Sequence, residues 1–119
     1  MPAAVDAQTA KARAMSEGDL FNEVTTLLKG LGWRYHHVPA TAYRKNHIRS
    51  GFPDIMAVRD GRLLFIELKR EKEKLTIEQA EWMHDLLMVF ARNAGARHFV
   101  WRPSNLLSGE IAEILAGNR

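Results

Sequence analysis

The chain has no cysteine among its 119 residues, which removes disulfides, zinc–thiolate sites and thiol catalysis together. It has no apolar run long enough to span a bilayer and no signal-peptide core at its start, so a cytoplasmic protein is expected. Repeats and linker-like stretches are also missing. The expected organisation is an alanine-rich flexible arm over residues 1–15 followed by a single domain over 16–119. Another absence is local. No Asp or Glu falls between Leu31 and Pro53, whereas Arg34, Arg44, Lys45, Arg49, His36, His37 and His47 all do. With a net charge of only +3, this distribution says more than the sum. Tyr43 and Asn46 are interleaved with the basic residues, and such a segment suits contacts to phosphates. The alternative is a solvated loop.

What is present is concentrated between Gly51 and Lys69. Two apolar runs, Ile55 to Val58 and Leu63 to Ile66, flank Asp60-Gly61, the strongest short signal for a two-residue hairpin turn. That turn opposes Arg59 to Arg62 and therefore sets Asp54 across from Glu67, with both side chains on one face. Lys69, two residues beyond, points the same way. Like charges directly opposite each other destabilise a sheet. A divalent cation with oxygen ligands would neutralise such a pair; otherwise Asp54 ends a loop and Glu67 and Lys69 sit on a solvated strand end.

Around the hairpin the periodicity predicts helix, strand, strand, strand, helix, strand, helix. Ser16 caps a first helix whose stripe is Leu20, Val24, Leu27, Leu28 and Leu31, with Gly30 and Gly32 as the stop. Glu17 and Asp19 fall in its first turn, where the helix dipole favours negative charge. Glu23 borders the stripe, so it either finds a partner or extends to solvent. Residues 33–38 read as a strand closed by Pro39. Thr76 and Gln79 form a capping-box pattern that opens a long helix to about Asn93, with Ala80, Met83, Leu86, Leu87 and Phe90 as its stripe. Gln79 lies on that stripe, as a cap or as an inward hydrogen-bonding group. Ala96 to Trp101 reads as a strand broken by Pro103, and a last helix from near Ser108 buries Ile111, Ile114 and Leu115. The fold class that follows is α/β, a mixed sheet of about four strands flanked by helices.

Pro53-Asp54 followed by Glu67-Leu68-Lys69 resembles the PD-(D/E)xK nuclease superfamily, which implies that the α/β sheet is a restriction-endonuclease-like core. Gly51-Phe52-Pro53-Asp54, the Asp60-Gly61 turn, Phe65 to Arg70 and the Thr76/Gln79/Trp82 set together look like its VRR-NUC branch, over roughly Asp19 to Trp101. That branch includes small stand-alone phage and bacterial nucleases and the nuclease domain of a DNA-crosslink repair enzyme. The resemblance implies that Asp54 and Glu67 ligate Mg²⁺ or Mn²⁺ with the Leu68 backbone carbonyl, and that Lys69 is the catalytic lysine. It further implies that Glu23 is the helical acid, reaching a metal through water, and that Gln79 supports the site. The basic loop residues Tyr43, Arg44, Lys45, Asn46, His47 and Arg49, with Arg70 and Lys72 on the charged turn after the hairpin, are the candidates for touching DNA.

The function expected from this set is a metal-dependent, structure-selective endodeoxyribonuclease acting on branched DNA, resolving Holliday junctions as a homodimer. Nothing in the chain resembles a base-reading helix. Two other readings stand beside it: a flap or nicking nuclease of repair, packaging or restriction, and a non-catalytic DNA-binding module. The second conflicts with the presence of Asp54, Glu67 and Lys69 together.

Overall fold

The computed structural model describes residues 6–37 and 51–117. Their order is α1 (Ala7–Ala14), α2 (Glu17–Gly30), β1 (Arg34–His37), β2 (Ile55–Arg59), β3 (Arg62–Leu68), α3 (Ile77–Phe90), β4 (Ala96–Trp101), α4 (Pro103–Leu107) and α5 (Glu110–Leu115). One four-stranded sheet runs β1-β2-β3-β4. The first three strands are antiparallel neighbours and β4 is parallel to β3, which requires a long crossover; α3 lies within it. Among the described residues no helix is long and apolar enough to cross a membrane.

The hairpin forms in the expected register, with Ile55 opposite Ile66 and Arg59 opposite Arg62. Asp60 and Gly61 both take positive φ, 48° and 78°, as a type I′ turn requires at its two central residues. Alternation along the strands then sorts the side chains. Ile55, Ala57, Leu64, Ile66 and Leu68 turn to one face and meet Leu20, Val24 and Leu28 of α2 with Ile111, Ile114 and Leu115 of α5. Trp33 closes this core at the hairpin-turn end and donates its indole N–H to the Leu115 carbonyl at 2.9 Å.

The opposite face is covered more thinly. Phe65 stacks on Phe90 of α3, and Phe52 sits edge-on to both Phe65 and Trp82. No residue of α3 is fully buried. Leu87, expected on the core stripe, is 47% exposed, and Met88 and Val89 are more so. The stripe exists, but α3 lies over the sheet with one narrow side, so a position one step round the helix already faces outward.

Two helices go beyond the expected order. Residues 7–14, expected to belong to a flexible arm, form α1, capped by Asp6 accepting the Thr9 N–H at 2.7 Å. This helix packs on α4 and buries Ala12; its small alanines allow close approach without presenting a large apolar stripe. Pro103, read as a breaker, is the first residue of α4, where a missing N–H and a fixed φ cost nothing.

Gly51 fixes how the hairpin approaches α3. Its φ is +89°, and a Cβ there would lie 2.5 Å from the Glu78 main-chain carbon. Gly51→Ala is therefore expected to destabilise the fold by about 1–3 kcal/mol. Chemical denaturation measures this, and a midpoint equal to the parent's would show that the close approach is not required.

Candidate active site

β2 starts and β3 ends at the same edge of the sheet, and the chain's chemistry collects there. Asp54 immediately precedes β2, and its Oδ2 accepts the Leu68 N–H at 2.7 Å. The aspartate is thus tied to the main chain of the strand that carries Glu67. Glu67 is only 3% exposed and its carboxyl hydrogen-bonds to Asp54. Gln79 completes the arrangement by donating Nε2–H to Glu67 Oε1 at 3.1 Å. Its Oε1 accepts the Thr76 N–H at 2.9 Å while its own N–H bonds the Thr76 hydroxyl. Gln79 is both the cap and the inward group, because the first turn of α3 abuts the end of β3.

Burial, the Asp54 charge and the Asp54 hydrogen bond together push the Glu67 carboxyl up to about 9, against the opposing pull of Lys69. At neutral pH one proton therefore sits between the two acids. Lys69 is as buried as Glu67. Its N–H extends the ladder to the Trp101 carbonyl at 3.0 Å, and its ammonium lies 3.5 Å from Glu73 Oε2.

The acid of α2 that is electrostatically coupled to this site is Glu17. Burial raises its carboxyl above the ordinary range, followed by the charges of Asp54 and Glu73, with Lys69 opposing. Glu23, expected in that role, is exposed and is not brought to the cluster. The reason is directional. β1 runs towards the Asp54 edge, since His37 pairs with Ile55, and α2 precedes it through a tight turn at Gly32, so α2 runs away from that edge. Glu23 is six residues further along, about 9 Å down the axis. Tracing that connection would have singled out the first-turn acid from the sequence.

Arg70 and Lys72 are exposed on the turn after β3, beside Lys69. Tyr43, Arg44, Lys45, Asn46, His47 and Arg49 lie outside the described residues. His37 packs against Phe21, with ring centroids 4.4 Å apart, and His36 is exposed; neither meets the acidic cluster.

The donor set suits a hard divalent cation: two adjoining carboxylates that hold a proton between them, with neither sulfur nor imidazole. Among the described residues no three His, Asp or Glu side chains stand together to hold an ion, so main-chain oxygen and water must complete any coordination. The N-termini of α2 and α3 both end here, and their free N–H groups and dipoles favour negative charge.

The family model for archaeal Holliday junction resolvase (Hjc) matches residues 19–106, most of the chain. The chain belongs to the archaeal Holliday junction resolvase family. It is thereby a nuclease of PD-(D/E)xK type, metal-dependent and selective for branched DNA. The matched stretch contains Asp54, Glu67, Lys69 and Gln79 but starts two residues after Glu17. No curated protein matches the sequence.

The raised Glu67 carboxyl has a consequence for stability. Its folded value, about 9, exceeds the ordinary 4.5 of an unfolded glutamate, so between those pH values the native state holds the extra proton and stability falls as pH rises through that window. Without divalent ions the melting temperature is expected to drop by several degrees from pH 5 to pH 8.5, and Glu67→Gln should flatten the slope. Equal slopes in the two proteins would place the proton elsewhere.

Proposed function

We propose that Asp54, Glu67 and the Leu68 carbonyl form the metal-holding set of a junction-resolving endonuclease, with Lys69 as the catalytic lysine. The observation that carries this is the pairing of half-buried Asp54 with buried Glu67, held by Leu68 and Gln79 next to a buried ammonium. Mg²⁺ or Mn²⁺ fits the oxygen-only donors and would supply charge neutralisation at the scissile phosphate and a more acidic water. The residues do the rest. Gln79 fixes the rotamer of Glu67. Asp54, tethered to Leu68 through Oδ2, would ligate with its other oxygen once the proton held with Glu67 is displaced. Lys69, shielded from bulk water, orients the attacking water and offsets the charge that develops on the phosphate. Glu17 takes the part expected of Glu23, adding a carboxylate at the rim where a water can bridge.

The protein acts on branched DNA as a homodimer, and two symmetric cuts suit two symmetric sites. Ile77, Leu87, Met88 and Val89 on α3, with Met56 and Val58 on β2, leave apolar surface exposed, which supports pairing through that face. The nearer likeness to the VRR-NUC branch is kept as part of this proposal. It is supported by the meeting of its scattered motif in space: Gly51 against Glu78, Phe52 on Trp82, and Gln79 on Glu67. A cytoplasmic setting, in a bacterial cell or phage-infected host, suits an enzyme of DNA.

Lys69→Ala should abolish cleavage of a labelled four-way junction in Mg²⁺ or Mn²⁺ while keeping the fold and most junction binding. Asp54→Ala should do the same, and full activity in either variant would falsify the assignment. Flap and plain duplex substrates alongside separate junction resolution from flap trimming and nicking.

The basic loop gives a second test. Arg44→Ala with Lys45→Ala is expected to weaken junction binding and to flatten its dependence on log salt by about one phosphate contact per charge removed. A binding isotherm series across salt concentrations checks this; an unchanged slope means the loop does not meet the backbone.

A further inference from the structure

Glu73 belongs to neither the sequence motif nor the acid pair, yet it is among the most firmly held side chains at the site. One carboxylate oxygen accepts the Arg70 N–H at 3.1 Å and the other lies 3.5 Å from the Lys69 ammonium. Its main chain is fixed as well. The Glu73 N–H closes a turn onto the Arg70 carbonyl at 3.1 Å, and its own carbonyl accepts from the Arg102 guanidinium at 2.8 Å. The neighbouring Glu71 binds the Ser104 N–H at 3.0 Å. The turn after β3 is thus clamped to the start of α4, and the clamp aims one carboxylate at Lys69.

We propose that Glu73 is a positioning residue for Lys69. A lysine ammonium on four rotatable bonds is a poorly directed donor, and burial removes the water that would otherwise hold it. The ion pair with Glu73, at 3.5 Å, gives the ammonium a fixed neighbour and so a preferred direction. Its partial exposure, 43% of the side chain, places it at the mouth of the site, with Lys69 on the inner side.

This inference rests on the catalytic reading of Lys69 and is separable from it. Glu73→Gln retains an oxygen for the Arg70 N–H and leaves both main-chain bonds intact, so it removes the charge facing Lys69 while sparing the turn. Single-turnover junction cleavage at saturating enzyme and Mg²⁺ should fall about tenfold, as for a misplaced catalytic group. Junction affinity in EDTA, the melting temperature and the Mg²⁺ concentration for half-maximal rate should stay at parental values. Glu73→Asp should recover part of the rate. A parental rate in Glu73→Gln beside an inactive Lys69→Ala would overturn the role of Glu73 alone. A loss confined to junction binding, or removed by added Mg²⁺, would overturn it equally, by assigning Glu73 to DNA or to the ion. An active Lys69→Ala would instead remove the reading beneath it.

Discussion

The fold is arranged around the repulsion between Asp54 and Glu67. Two unit charges about 4 Å apart near a protein surface repel by about 4 kcal/mol, and burial of Glu67 adds the cost of dehydrating its charged form. The chain answers with a proton on Glu67, the Leu68 N–H on Asp54, the Gln79 amide on Glu67 and Lys69 nearby. Each of these depends on a different part of the fold. The hairpin register brings Leu68 to Asp54, the capping box of α3 delivers Gln79, and the clamped turn holds the partner of Lys69. Removing the charge problem would leave these devices without a purpose, which is why they read together as a site.

The helices give the sheet an electrostatic direction. α2 and α3 begin at the acidic edge, so their positive ends face Asp54, Glu67 and Glu17. α2 and α5 end at the hairpin turn, where carbonyls lack helical partners. Arg59 and Arg62 answer there: each guanidinium lies over the Trp33 ring, and they donate to the Leu31 carbonyl at 2.8 Å and the Ile114 carbonyl at 3.3 Å. These arginines have the charge of a phosphate site in a basic protein, but it is engaged by the helix ends. The anion-attracting ends of the helices and the reactive groups share the other edge.

What could be read from the sequence followed from how local its cause was. The Asp60-Gly61 turn determines the register of β2 against β3 by itself, so Asp54 and Glu67 were placed together before any tertiary contact was known. Gln79 showed the same directness, since a capping box marks a helix start and α3 starts beside β3. The choice between Glu17 and Glu23 was different in kind. Both are acids on α2, and only the direction of α2 relative to β1 decides which lies level with Asp54. Periodicity finds faces, not ends; Glu23 enters only through the family resemblance, and the face it borders does not distinguish it from Glu17. α4 is illegible for a related reason: a short helix with small or polar side chains forms by docking, here against α1, and docking leaves little pattern in the chain.

The charge balance at the acidic edge constrains how a substrate can enter. Glu17, Asp54 and Glu73 surround one ammonium, and Glu67 escapes full charge only by holding a proton. A phosphodiester approaching Lys69 would meet more negative than positive charge, and the two helix N-termini offset only part of it, roughly half a unit each. Displacing the Glu67 proton without adding a cation makes the mismatch worse. On the proposed assignment a divalent ion on the carboxylates would reverse this balance, so the burial that raises the Glu67 carboxyl would also make the ion a condition of productive binding. Affinity for the arms of a junction would then draw on basic side chains beyond the carboxylates, Arg70 and Lys72 on the neighbouring turn among them, which separates holding the DNA from cutting it.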